Sequence, residues 1–126
     1  VNITAAATKP DSINDDILNT ARMMNLHVLG GVNPKNLHVV VVVHNVAGFS
    51  VVNNETYQQK FHVDNPNIDL IKTLQAAGVK FIICGQTMMK RNISQQQLLP
   101  DINPATSALT TLTTYQMKGY MMMKFQ

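Results

Sequence analysis

Five consecutive valines, Val39 to Val43, form the centre of the run Leu37-His38-Val39-Val40-Val41-Val42-Val43. A strand with one wet face alternates apolar and polar residues. This run does not alternate, so as a strand it must be buried on both faces. A second run, Val79-Lys80-Phe81-Ile82-Ile83-Cys84, has the same character and is broken only by Lys80. Strands of this kind belong to a mostly parallel sheet with helices on both sides, an α/β fold. A chain of 126 residues, 45 % hydrophobic, can build one such core but not two, so residues 1–126 are expected to form a single domain.

The rest of the chain alternates in the same sense. Val1 to Ala7 reads as a first strand, closed by Thr8-Lys9-Pro10. Asp11 to Asp16 carries capping side chains and then acids, with Ser12 and Asp15 imitating a capping box. Ile17, Ala21, Met24 and Val28 follow at helical spacing, and Gly30-Gly31 and Pro34 stop the helix. Asn53 to His62 is a short helix or an ordered loop. Pro66-Asn67 opens the next helix with Asn67 as its cap, and Gly78 stands where a left-handed residue is wanted. A short helix is expected from Gln86 to about Ser94, and Leu98 to Pro104 has room for only a very short strand. Thr106 or Ser107 caps a helix through Lys118, Gly119 ends it, and Tyr120 to Phe125 reads as a last strand. Right-handed crossovers would set every strand's carboxyl end on one rim. His44-Asn45 and Cys84-Gly85 would then be neighbours there.

Cys84 is the only cysteine. It lies between a strand's carboxyl end and a helix's amino end, where open α/β sheets bind ligands. The helix dipole there favours thiolate over thiol. Gly85 permits a sharp turn or a close backbone approach. The competing reading is a small buried hydrophobe, since free cysteine is among the most buried residues. His44 is placed to shuttle a proton or hold an anion, or simply to bond backbone in its loop. With Asn45, Gly85, Gln86 and Thr87 it completes the candidate pocket around Cys84. His27, His38 and His62 have no metal-type spacing, so no metal is expected. Neither a Ser-His-Asp order nor paired carboxylates at useful spacing occur.

Several partners are disfavoured. The net charge of +3 comes from scattered Lys and Arg with no run longer than Lys90-Arg91, which does not suit nucleic acid. No apolar run approaches the roughly 20 residues that span a bilayer. The loop Ala7 to Ser12 lacks glycine, and no phosphate-binding or dinucleotide fingerprint occurs, so no cofactor is expected. Charged residues are only 13 %, and Met121-Met122-Met123 would point to alternate faces of a strand rather than at one ion. Both features predict apolar surface covered in a homo-oligomer. A lone cysteine makes no internal disulfide and slightly favours a reducing compartment such as the cytoplasm; the periplasm is the alternative if a signal peptide has been removed.

The segments Leu37–His44, Asn65 to Val79, Ile83-Cys84-Gly85-Gln86-Thr87, Leu98-Leu99-Pro100, Pro104 to Leu109 and Gln116 to Tyr120 together resemble the DsrE/DsrF-like family. The most specific part is the order helix, Ala76-Ala77-Gly78-Val79, strand, Cys84-Gly85. The resemblance implies a three-layer α/β/α sandwich of flavodoxin-like architecture around a five-stranded parallel sheet. It implies small oligomers, trimers or hexamers among them. It also implies sulfur carried as a persulfide on a cysteine, in oxidative sulfur metabolism or in sulfur relay for tRNA thiolation. Cys84 looks like the cysteine common among the small members, whereas Asn45 stands where a glycine is common. Two functions follow as expectations. In one, Cys84 accepts sulfur from a donor protein and passes it to an acceptor. In the other, the chain is a non-enzymatic oligomeric module that binds a small ligand, and Cys84 is structural.

Overall fold

The structure, a computed structural model, describes residues 1–125. In chain order its elements are β1 (Asn2–Ile3), α1 (Asp15–Leu29), β2 (Val40–Val43), α2 (Asn54–Phe61), α3 (Ile68–Ala76), β3 (Lys80–Cys84), α4 (Gly85–Arg91), β4 (Ile102–Ala105) and α5 (Ala108–Met117). The strands form a four-stranded parallel sheet in the order β1-β2-β3-β4. Parallel pairing sets all carboxyl ends on one rim, with Val43 beside Ile83 and Cys84 beside Ala105.

All four residues of β2 are buried, as the valine run requires. Their side chains alternate between two cores. Val41, Val43, Phe81 and Ile83 pack with Ile17 of α1 and with Ile71 and Leu74 of α3. Val40, Val42, Ile82 and Cys84 pack with Ala108, Leu112 and Tyr115 of α5. The result is a three-layer sandwich. A smaller cluster of Val52, Tyr57 and Ile93 joins the loop after β2, α2 and the segment after α4.

A sequential strand order has one consequence for coverage. Each crossover steps one strand in the same direction, so α1 and α3 lie on one face. Among the described residues, α5 and the segment after it cover the other. A cleft of about 430 Å³ is left there, lined by Val40, Val42, Leu112, Tyr115, Tyr120 and the three methionines that follow.

The sheet corrects the five-strand expectation. Tyr120 to Phe125 does run beside β1, since Asn2 N–H donates to the Met123 carbonyl at 2.8 Å. Yet β1 is only two residues long. It offers no ladder along which a fifth strand could continue. The first helix also starts later than Ser12. Its cap is Asn14, whose Oδ1 accepts from Asp16 N–H at 2.9 Å. Tertiary bonds choose that residue. Asn14 N–H donates to Asn67 Oδ1 at 2.7 Å, and Asn14 Nδ2 donates to the Ala5 carbonyl at 2.8 Å. Asn67, expected to cap α3, makes no side-chain capping bond to it and serves this buried network instead. Asn65 completes the network by donating to the Ser50 and Val52 carbonyls. Gly78, in contrast, takes the left-handed conformation its position requires, with φ of +95°.

Candidate functional site

The site begins with a main-chain contact. β3 ends at Cys84, and α4 starts at the next residue. A Cβ on Gly85 would stand 2.5 Å from the Ala105 carbonyl oxygen at the end of β4. Only glycine lets the two strand ends approach this closely, as its place after the cysteine suggested. From here the chain diverges. α4 leads back toward the α1–α3 face, where Met88 packs, while β4 leads into α5 on the opposite face. The crevice between two such diverging connections is where open sheets hold ligands.

Cys84 sits at the base of that crevice, on the α5 side. Ser107 caps α5 by accepting from Thr110 N–H at 3.1 Å. The Ala108 N–H belongs to the first turn and has no partner within its own helix. It donates to Cys84 Sγ at 3.2 Å. Cys84 is the residue before α4 and forms no capping bond of full geometry to it. The residue is 5 % exposed and belongs to the apolar cluster of Val40, Val42 and Ile82.

Two influences on the thiol oppose each other. Burial pushes its pKa up. The N–H groups of Thr87, Ala108 and Gln86 and the Thr87 hydroxyl push it down, and together they prevail. Cys84 therefore ionises below the ordinary thiol value, which makes its sulfur the better nucleophile near neutrality.

A cleft of about 260 Å³ opens beside the sulfur. Four of the expected residues line it with Cys84: His44, Asn45, Gln86 and Thr87. Gly85 does not line it and contributes through the close approach alone. Lys90, Arg91, Ser107, Ala108 and Leu109 line it as well. The sequence carried no sign that Ala108 touches the sulfur, because the contact uses only its backbone. Ser107 was legible as a cap, but its place in this cleft depends on β4 lying next to β3.

His44 lies at the rim, where its Nε2 bonds Asn2 Oδ1 at 2.6 Å and ties the end of β2 to β1. Burial, and then the nearby charge of Lys124, lower its pKa, so it is uncharged at neutrality. Asn45 adopts a left-handed φ of +57°, which accounts for a glycine being suited to this position. Its N–H donates to Thr87 Oγ1 at 2.9 Å, and its Oδ1 accepts from Arg91 at 2.8 Å. Among the described residues no group of three His, Cys, Asp or Glu could hold a metal ion. His27 and His38 line the larger cleft instead, past the far end of α5.

The sequence profile of the DsrE/DsrF-like family matches residues 1–125. No curated protein matches the chain. Among solved structures, the chain is similar to a protein of unknown function from Methanobacterium thermoautotrophicum, with a TM-score of 0.62. The two are 13 % identical, and the likeness covers 85 % of this chain and 86 % of that one. At that identity the likeness concerns the fold alone. No helix of the described residues is long and apolar enough to cross a membrane.

Proposed function

The chain belongs to the DsrE/DsrF-like family, and from that premise we propose that it handles sulfur through Cys84. One observation carries the reading. The single thiol lies on a cleft, accepts the Ala108 N–H at 3.2 Å, and is held below its ordinary pKa by the donors around it. A donor persulfide presents an electrophilic outer sulfur. The Cys84 thiolate attacks that atom, a new S–S bond forms, and the donor's own S–S bond breaks as its thiolate leaves. Cys84 then carries a persulfide, with no net oxidation. Attack by an acceptor thiolate on the outer sulfur reverses the exchange and frees Cys84. The same N–H groups that favour the thiolate also favour a persulfide anion beside it. Lys90 and Arg91 add positive charge to the cleft that receives an anionic donor group. His44, Asn45, Gln86 and Thr87 form its wall.

Incubation with a small-molecule persulfide donor, followed by intact mass, tests this. The expected result is a gain of about 32 Da, one sulfur atom, that is absent in Cys84→Ala. A thiol that takes up neither sulfur nor an alkylating reagent in the folded chain overturns it.

The near-complete burial of Cys84 favours a second reading, a small-ligand-binding module in which the cysteine only packs. The same experiment separates the two. We further propose assembly with copies of the same chain, as a trimer or hexamer. Met117 and Met121 are 90 % and 91 % exposed, beside the larger apolar cleft. Light scattering should give a mass that is a multiple of the 14.0 kDa chain. A monomer at working concentration would remove this proposal.

A further inference from the structure

The side-chain position of Thr87 is set by two neighbours distant in sequence. Thr87 is 7 % exposed, so its rotamer is fixed by what surrounds it. Its Oγ1 accepts the Asn45 N–H at 2.9 Å. A hydroxyl has one hydrogen to give and two lone pairs to receive. With an N–H already donated to the oxygen, the hydroxyl hydrogen must point elsewhere. Cys84 lies three residues earlier, at the cap position of α4, and lines the same cleft as Thr87. The other branch of the side chain, Cγ2, lies over Gly48, where an added Cβ would stand only 2.9 Å away.

We propose that Thr87 is the positioning residue of Cys84: the Asn45 N–H and the space left by Gly48 fix its rotamer so that its hydroxyl donates to the sulfur. This deepens the sulfur-handling reading, on which it rests for its purpose but not for its test. Asn45 can present its N–H because it holds a left-handed φ, and Arg91 ties its side chain in place at 2.8 Å. Gly48, Asn45, Thr87 and Cys84 thus form one connected unit. The titratable and charged groups facing the sulfur are few. α4 contributes Lys90 and Arg91, the end of β2 contributes His44, and the first turn of α5 contributes only Ser107, Ala108 and Leu109. Arg91 is engaged with Asn45 and His44 with Asn2. With those two groups held in place, loss of a hydroxyl donor acts on the thiol directly, apart from any movement of Lys90. The donors already counted around Cys84 are consistent with this role.

The test is a titration of Cys84 in the full chain without any sulfur donor, followed by thiolate absorbance and by the pH dependence of alkylation with iodoacetamide. Thr87→Val keeps the shape and removes the hydroxyl. It should raise the midpoint by about one pH unit, roughly a tenfold loss of thiolate below the midpoint. Thr87→Ser retains the hydroxyl and should stay within about 0.3 unit of the parent chain. Gly48→Ala should move the midpoint upward by crowding Cγ2. The double variant Gly48→Ala with Thr87→Ser, which has no Cγ2 to crowd, should restore it. The proposal fails if Thr87→Val titrates like the parent chain, or if Thr87→Ser shifts as far as Thr87→Val. Should Thr87→Val not fold, the Gly48 pair decides: a shift that the double variant does not rescue overturns the proposal. A shifted titration with no sulfur uptake by the parent chain upholds the positioning role and removes the sulfur-handling reading. Uptake with an unshifted titration does the reverse.

Discussion

The two faces of the sheet are built from the same kinds of residue and do different things. On one, Val41, Val43, Phe81 and Ile83 are all completely buried under α1 and α3. On the other, Val40, Val42, Ile82 and Cys84 retain between 2 % and 9 % exposure beneath α5. The first face is closed by two helices. The second is closed by one, with a cleft on either side: the larger past the end of α5, the smaller at its start. Adjacent residues of one strand thus divide the work. Ile83 packs, and Cys84, one residue on, meets donors and open space. The contrast teaches that one sheet can close one face completely and leave on the other the open space in which the proposed chemistry would lie.

Substitutions that remove volume from each face test this most strongly. Phe81→Ala empties the packed face and should destabilise by about 3–5 kcal/mol in chemical denaturation. Ile82→Ala, on the thin face, should lie near about 2 kcal/mol, because α5 alone can settle into the gap. Equal losses would break the comparison. Next in size is Gly85→Ala. Its methyl meets a carbonyl oxygen rather than a flexible side chain, so strain of about 1–3 kcal/mol should follow, with an altered thiol titration. A neutral result would mean that the Ala105 carbonyl oxygen does not stand where an added Cβ on Gly85 would meet it.

A smaller effect should appear in the pH dependence of stability. The Cys84 thiol is depressed in the folded chain relative to its ordinary value. Between those two pKa values the unfolded chain binds more protons, so stability rises with pH. The contribution is complete above the ordinary thiol value and is lost as pH falls through the folded one. Denaturation of Cys84→Ala against pH should lack this rise, and identical slopes for the two chains would contradict the depressed thiol. The smallest effect belongs to His44→Ala. Its Nε2 is committed to Asn2, so the Cys84 titration should move by less than about 0.3 unit. A larger movement would bring His44 back to the sulfur and sharpen the account of the thin face.

Much of this architecture was legible in the residues. The valine run and Val79–Cys84 announced doubly buried strands because nothing in them alternates, and both form the centre of the sheet. Gly78 and Ser107 were legible because each does a local job that few residues do. The failures have a shared cause. Tyr120 to Phe125 has strand-like residues, but pairing depends on the partner's length, and β1 is too short. Ser12 looked like a helix cap, but Asn14 was chosen by bonds to Ala5 and Asn67. At the site, Cys84 and its rim neighbours could be named from their order along the chain. The Ala108 N–H and the crowding at Gly48 could not, because a main-chain donor and an empty volume leave no letter in a sequence.

The donor at the sulfur comes from 24 residues downstream, and the hydroxyl beside it is oriented from 42 residues upstream. The Ala108 donor reaches the sulfur only once β4 has paired with β3 and α5 has docked, so the surroundings of the chain's one thiol belong to the completed fold and to no local segment of it.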